Sequence, residues 1–306
     1  MELRHLRYFV TLAEELHFSR AAARLGISQP PLSQQIQALE EELGARLLHR
    51  TNRRVDLTEA GRLFLVEARA TLAQAERAAD IAGRAQRGEI GELKLGFTAS
   101  APFTVTIPKM IFAFRQASPA VHLTLQEMTT KQQIEAMTER RLHVGFIRSP
   151  VYPTMPPELK ALELFREPLT AILRADHPLA AGDPADRIAL SSLAAEPFVM
   201  HPRAVGTGLH DQIIALCQQA GFSPRVSQEA REAPTIVGLV AAGLGVTLLP
   251  SSLRRIRVEG VAYRDLADHG AMTAMWLAYP EHGLSPAARA FVAQVAAHQP
   301  VAGQEH

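Results

Sequence analysis

The chain carries a single cysteine, Cys217, among 306 residues. One thiol excludes a disulfide framework and a cysteine-based zinc site. Long apolar runs are also missing: no stretch approaches the roughly 20 apolar residues of a membrane span, so no membrane partner is expected. Residues 1–20 carry acids and arginines where a leader would be continuously apolar, so no signal peptide is visible and a cytoplasmic location is expected. Neither sign of charge dominates, with 32 basic against 31 acidic side chains and a net charge of +1. Motifs of catalysis are absent too. There is no Gly-x-Ser-x-Gly elbow and no phosphate loop, and Gly238, Gly243 and Gly245 do not spell a dinucleotide fingerprint. His5, His17 and His49 are scattered and lack metal-ligand spacing. An enzyme is therefore not expected, and neither a cofactor nor a metal.

With 47% hydrophobic and 21% charged residues, the chain reads as globular, and wholesale disorder is excluded. At about 100–200 residues per domain, it predicts two or three domains. The distribution of charge says more than its sum. Between Leu43 and Val55 stand Arg46, His49, Arg50, Arg53 and Arg54 without an acid, just after Glu40-Glu41-Glu42.

Residues 1–57 read as short helices with tight turns. Leu3, Leu6, Phe9, Val10 and Ala13 make one helical stripe. Ser19 is the expected N-cap of Arg20–Leu25, and Ser28 that of a helix to about Leu43, with Pro30 and Pro31 tolerated in its first turn. Leu32, Ile36, Leu39 and Leu43 form its buried stripe. Arg46–Leu57 reads as a small hairpin. Thr58 caps a helix of alanine-rich character running to about Gln86, on the order of 40 Å long and in want of a partner. From Glu92 the pattern alternates strand and helix, which argues for α/β layers. Strands are expected at 93–97, 121–127, 143–147, 169–173, 198–200, 225–228, 246–249 and 273–279. Helices are expected at 108–116, 131–140, 207–220, 233–242 and 286–297. The domain reading is 1–57 DNA-binding, 58–88 linker and dimerisation helix, 91–162 with 269–300 as lobe I, and 163–268 as lobe II.

Ala22-x-x-x-Gly26-x-x-x-x-x-Leu32, with Ile36 a turn on, is the spacing of a helix-turn-helix. Ala22 lets two helices cross closely, and Gly26 takes the left-handed turn at low cost. The outward face of the second helix then holds Gln29, Ser33, Gln34 and Gln37, side chains suited to base edges in a major groove. The arginine hairpin could reach phosphates or a minor groove. A plain three-helix bundle with a polar surface is the alternative, and the hairpin and long helix weigh against it.

The run Phe18-Ser19-Arg20-Ala21-Ala22-Ala23-Arg24-Leu25-Gly26-Ile27-Ser28-Gln29-Pro30-Pro31-Leu32-Ser33-Gln34-Gln35-Ile36 resembles the winged helix-turn-helix of the LysR-type transcriptional regulators. Leu39-Glu40, Leu43-Gly44, Arg50 and Leu57-Thr58-x-Ala60-Gly61 continue the match. Pro31 stands where alanine is common, and Leu48 where phenylalanine is. The resemblance implies an N-terminal all-α winged helix-turn-helix domain, a long linker helix and an α/β, two-lobed effector domain like a periplasmic binding protein. It implies a double-stranded DNA operator, RNA polymerase as a partner, a homodimer or homotetramer, and activator or repressor action. DNA contacts would fall on Ser28, Gln29, Pro30, Ser33, Gln34, Gln37, Arg50, Arg53 and Arg54.

In open α/β sheets, ligands sit beyond the carboxyl ends of strands. Those ends carry Thr98 to Pro102, Thr129 and Thr130, Arg148, and His201-Pro202-Arg203 before Gly206-Thr207-Gly208. Hydroxyls, helix starts and a guanidinium suit a carboxylate, which Arg148 could clamp bidentately while Ser100 and Thr130 add neutral hydrogen bonds. The expected effector contacts are Thr98, Ser100, Thr130, Arg148, His201 and Pro202. Each has a plainer reading: Ser100 a helix cap, Thr129-Thr130 a turn, Arg148 a surface ion pair, His201 a packed residue. Arg203 reads as solvated, and Cys217 as buried packing. Phe97-Thr98-Ala99-Ser100 and Glu127-Met128-Thr129-Thr130-Lys131 resemble the aromatic-catabolism (benzoate/muconate-responsive) branch of the family. That implies a small aromatic or dicarboxylic acid effector. The rival is a ligand-binding module of the periplasmic-binding-protein type without ligand-gated control of transcription.

Overall fold

The computed structural model describes residues 1–51, 54–183, 185–205 and 208–297. It divides into two compact units, 1–84 and 85–306. The first unit opens with α1 (Leu3–Glu15), α2 (Phe18–Leu25) and α3 (Gln29–Leu43). The hairpin of β1 (Leu48–Thr51) and β2 (Arg54–Leu57) follows, then α4 (Glu59–Arg87), which runs on past the unit boundary. Leu6, Phe9 and Leu12 from α1, Ala21 and Ala22 from α2, and Leu32, Ile36 and Leu39 from α3 share one core. The small side chain of Ala22, 2% exposed, and Gly26 in the left-handed conformation (φ 68°) let α2 and α3 meet as the spacing requires. One cap differs from expectation. α2 starts at Phe18, not Arg20, because the imidazole Nδ1 of His17 accepts from the backbone N–H of Ser19 and Arg20. Ser28 stands at the N-cap of α3 without a side-chain cap bond. Thr58 does cap α4, accepting from the N–H of Gly61 at 2.9 Å.

The second unit alternates strands and helices around one large sheet. β3 (Ile90–Phe97) leads through a 3-10 turn (Ala101–Phe103) to α5 (Thr106–Ala117), β4 (Ala120–Glu127), α6 (Thr130–Thr138) and β5 (Val144–Ser149). β3 pairs in parallel with both β4 and β5. β6 (Leu159–Arg174) precedes β7 (Pro197–Met200), α7 (Gly208–Gln219), β8 (Arg225–Glu229), α8 (Ala233–Ala241), β9 (Thr247–Pro250), β10 (Val261–Asp265), β11 (Met272–Pro280) and α9 (Pro286–Ala297). The sheet order is β10-β6-β11-β5-β3-β4, with β9 also on β6, and β7 and β8 form a separate parallel pair.

Three apolar cores pack against this arrangement, and the two larger ones matter most here. One draws on Leu93, Leu95, Phe114, Phe146, Met275 and Phe291. The other draws on Leu169, Leu173, Phe198, Ile213, Val237 and Leu248. β6 serves both: Leu164 belongs to the first, and Leu169 to Leu173 belong to the second. The strand expected at 169–173 thus begins ten residues earlier, at Leu159. Glu163, Arg166, Glu167 and Pro168 interrupt its apolar pattern, and pairing with β11 continues through them, with Met272 opposite Pro168. β10 also goes beyond the expected strands. The helix expected from Thr207 is seen from Gly208, Thr207 itself lying outside the described residues.

Candidate functional site

Two surfaces gather the residues singled out in the sequence. On α3, Gln29, Pro30, Gln34 and Gln37 are exposed, as is Ser28 just before it, and Ser33 is half-buried. Gln29 accepts weakly from the hydroxyl of Ser19 at 3.4 Å, and Gln37 donates to Glu41 at 3.1 Å. Leu32, Ile36 and Leu39 hold the opposite face in the core, so the amide-bearing face points outward. Arg50 and Arg54 occupy paired hairpin positions, Arg50 opposite Val55 and Arg54 opposite Thr51. Arg53 lies outside the described residues, as do the side chains of Arg50 and Arg54.

Three residues of the matched segments, Glu40, Thr58 and Gly61, fix the hairpin against the helices. The carboxylate Oε1 of Glu40 accepts from the N–H of Leu47 at 2.8 Å and of Leu48 at 3.0 Å. Thr58 donates its hydroxyl to the carbonyl of Arg46 at 2.7 Å. A Cβ on Gly61 would lie 2.0 Å from the carbonyl oxygen of Leu47, so only glycine fits there. The last two stand in the matched Leu57-Thr58-x-Ala60-Gly61 motif, so that signal was present in the sequence.

The second surface is a cavity of about 460 Å³ in the second unit. Thr98, Ser100, Thr130, Arg148, His201 and Pro202 all line it, so the structure brings together every residue expected to meet an effector. The parallel arrangement of β3, β4 and β5 explains this. Their carboxyl ends lie side by side, and the segments that follow them share one rim. The starts of three helices reach the same space: Thr130 of α6, Gly208 of α7 and Ala233 of α8. The first N–H groups of a helix have no partner inside it, and the dipole there is positive.

The structure changes what several of these side chains can do. Ser100 does not cap the 3-10 turn that follows it; its hydroxyl accepts from Nε of Arg148 at 2.9 Å. Arg148 is no surface ion pair and no free clamp. Its Nη2 donates to Glu167 at 2.8 Å, with the two side chains only 8% and 9% exposed. Glu167 also accepts from the hydroxyls of Ser251 and Ser252 and from the N–H of Ser252. Removal from water pushes the Arg148 pKa below the usual guanidinium value, against the pull of Glu167. Its Nη1 is buried and has no hydrogen-bond partner among the described residues.

Thr130 is engaged as well: its hydroxyl donates to the carbonyl of Arg148 at 3.3 Å and lies 3.2 Å from the N–H of Arg148, tying α6 to β5. His201 donates Nδ1–H to the carbonyl of Arg231 at 3.0 Å, since a carbonyl can only accept. Burial holds its pKa below the ordinary imidazole value, so near neutrality the ring is uncharged and offers an acceptor at Nε2. Arg203, as expected, is an exposed side chain, ion-paired to Asp211 at 3.1 Å. Gly206 and Thr207 lie outside the described residues.

Glu167, Ser251, Ser252 and Gln133, which brace lining residues without lining the cavity, and the lining residues Arg231 and Glu232 were not announced by the sequence. Gln133 is fully buried and donates to the carbonyls of Met128 and Phe146. Phe146 also accepts from the N–H of Thr98, so one carbonyl joins the segments after β3 and β4. Gly96 and Gly145 stand opposite each other in β3 and β5, and a Cβ on either would strike the amide of Gln133. A polar residue inside the Gln133, Ala136, Met137 stripe of α6 was the available signal. Among the described residues no group of side chains could hold a metal ion, and no helix is long and apolar enough to cross a membrane.

Comparison with known proteins matches each of the two units to a protein family. Residues 3–62 match the bacterial regulatory helix-turn-helix protein, lysR family, and residues 86–300 match the LysR substrate binding domain. The HTH-type transcriptional regulator YnfL of Escherichia coli is 49% identical over 292 residues, covering 95% of this chain and 96% of that protein. The regulator CatR of Pseudomonas putida is 41% identical over 286 residues, covering 94% and 95%. Full-length CbnR in complex with its target DNA superposes with a TM-score of 0.81 at 30% identity, covering 97% and 99%. The chain belongs to the LysR family: it is a DNA-binding transcriptional regulator with a substrate-binding domain, and not an enzyme.

Proposed function

We propose that this regulator controls transcription through a small carboxylic acid bound in the 460 Å³ cavity. The observation that carries this reading is the meeting of three helix starts in one cavity, beside the buried guanidinium of Arg148. Partial positive charge at helix starts and a desolvated guanidinium donor favour an anion over a neutral or cationic guest. Lobe I (91–162 and 269–300) and lobe II (163–268) would close on the acid, with β6 running through both. The ligand shifts their balance only as far as it binds one arrangement better than the other.

On the DNA side, the α3 helices of two copies enter successive major grooves. Ser28, Gln29, Pro30, Ser33, Gln34 and Gln37 face the bases and backbone, and Arg50, Arg53 and Arg54 hold phosphates or the minor groove. Assembly as a dimer or tetramer, contact with RNA polymerase and work in the cytoplasm complete the proposal.

Ser100→Ala tests it. The variant removes one polar contact without stripping Glu167 of its charge partner. Benzoate should raise the unfolding midpoint of the native protein, because a ligand bound only by the folded state stabilises it. The shift should shrink in Ser100→Ala while affinity for DNA stays the same. An equal shift in the variant would remove the cavity as the binding place, and no response to any small acid would remove the carboxylate.

A further inference from the structure

We infer, on the footing that the cavity is a carboxylate site, that it accepts monocarboxylates and rejects dicarboxylates, and that Glu167 sets this selectivity by holding the charge of Arg148. Among the described residues, the guanidinium is the one buried cation of the lining. It is already matched: Nη2 donates to Glu167, Nε donates to Ser100, and Nη1 alone is left over. Glu167 is not free to leave. Two serine hydroxyls and a backbone N–H hold its carboxylate in place, and its side chain is 9% exposed. The pair is therefore neutral as a unit.

One incoming carboxylate can take the N–H groups at the starts of α6, α7 and α8, beside the buried Arg148. A second finds no uncompensated buried cation. The remaining charged lining residues are Arg231, Glu127 and Glu232, all exposed, and they sum to minus one. An extra carboxylate would be desolvated beside that balance without a partner, which is the costly way to bury a charge. His201 adds no positive charge near neutrality, since burial disfavours its charged form. The end of the ligand away from the helix starts is thus better matched by a hydroxyl or an N–H than by a second anion. This reverses part of the expectation drawn from resemblance, which allowed dicarboxylic acids equally.

A size-matched series tests the inference by calorimetric titration of the full chain at fixed ionic strength. Benzoate, the monomethyl ester of terephthalate and terephthalate itself form one series; butyrate, monomethyl succinate and succinate form a smaller one. The monoacid and the ester of at least one series should bind within about threefold of each other, and the diacid about tenfold more weakly or worse. Because ester and diacid match in size, the gap reads charge and not fit. Glu167→Gln keeps the size of the side chain but turns one accepting oxygen into a donor; it releases the charge of Arg148 and should close the gap by strengthening the diacid. A diacid as tight as its monoester in the native protein overturns the inference, and so does a gap that survives in a folded Glu167→Gln protein. The native series decides alone if that variant does not fold. Absence of binding by every acid in both series overturns the carboxylate reading itself, a different result from loss of selectivity.

Discussion

Single residues carry consequences that can be measured directly. Gly61 faces the carbonyl of Leu47, so Gly61→Ala forces backbone apart where the hairpin meets α4. It should lower the stability of the N-terminal unit by about 3 kcal/mol, seen in thermal unfolding, with DNA binding falling in step. Arg148→Ala leaves Glu167 buried without its cation, a change that costs about 3–5 kcal/mol. Loss of effector response in Arg148→Ala would therefore report unfolding as much as ligand contact, whereas Ser100→Ala separates the two. Cys217 is fully buried, and desolvation pushes its thiol up to about 12. The thiol should resist aromatic disulfide reagents in the native protein near pH 8 and react at once in denaturant. Rapid native labelling would contradict its place in the core.

At the scale of elements, the hairpin depends on the end of α3. Glu40 holds Leu47 and Leu48 by two backbone N–H groups, so Glu40→Ala should loosen β1 and cost about 1–2 kcal/mol. DNA affinity should fall for all sequences alike, because base-reading residues on α3 are untouched; altered sequence preference would contradict this.

The elements also show why some of the protein was legible in its sequence. The Ala22, Gly26, Leu32 and Ile36 spacing is local, and helix crossing follows from it within a few residues. Strand ends are local too, which is why Thr98, Ser100, Thr130, Arg148, His201 and Pro202 could be gathered before the fold was known. β6 was half-hidden because Glu167 and Pro168 break its apolar pattern, and Glu167 is explained only by Arg148, 19 residues away, and by Ser251 and Ser252, 84 and 85 residues away. Partners at such separation leave no periodic trace. The His17 cap escaped for another reason: Ser19 is the commoner capping type, and the backbone selected the imidazole.

At the scale of the whole molecule, pH dependence follows from two half-buried histidines of the second unit. His143 accepts from the N–H of Lys94, and His201 sits against the carbonyl of Arg231; burial lowers both below the ordinary value of 6.5. The unfolded chain then takes up protons before the folded one. Stability is full above about pH 6.5 and declines as pH falls below it. The unfolding midpoint should drop between about pH 7.5 and about pH 5.5, and His143→Gln should remove part of that drop. A midpoint that stays flat would show that the rings charge as easily folded as unfolded.

The central claim joins the cavity to the DNA. It is tested most directly by fluorescence anisotropy of a DNA fragment from upstream of the regulator's own gene, with the full chain and its Ser100→Ala variant, each titrated with a monocarboxylic acid. The account predicts equal binding by both proteins without acid, and an acid-dependent change in affinity for the native chain that is lost or strongly weakened in the variant. An identical response in both proteins would contradict it.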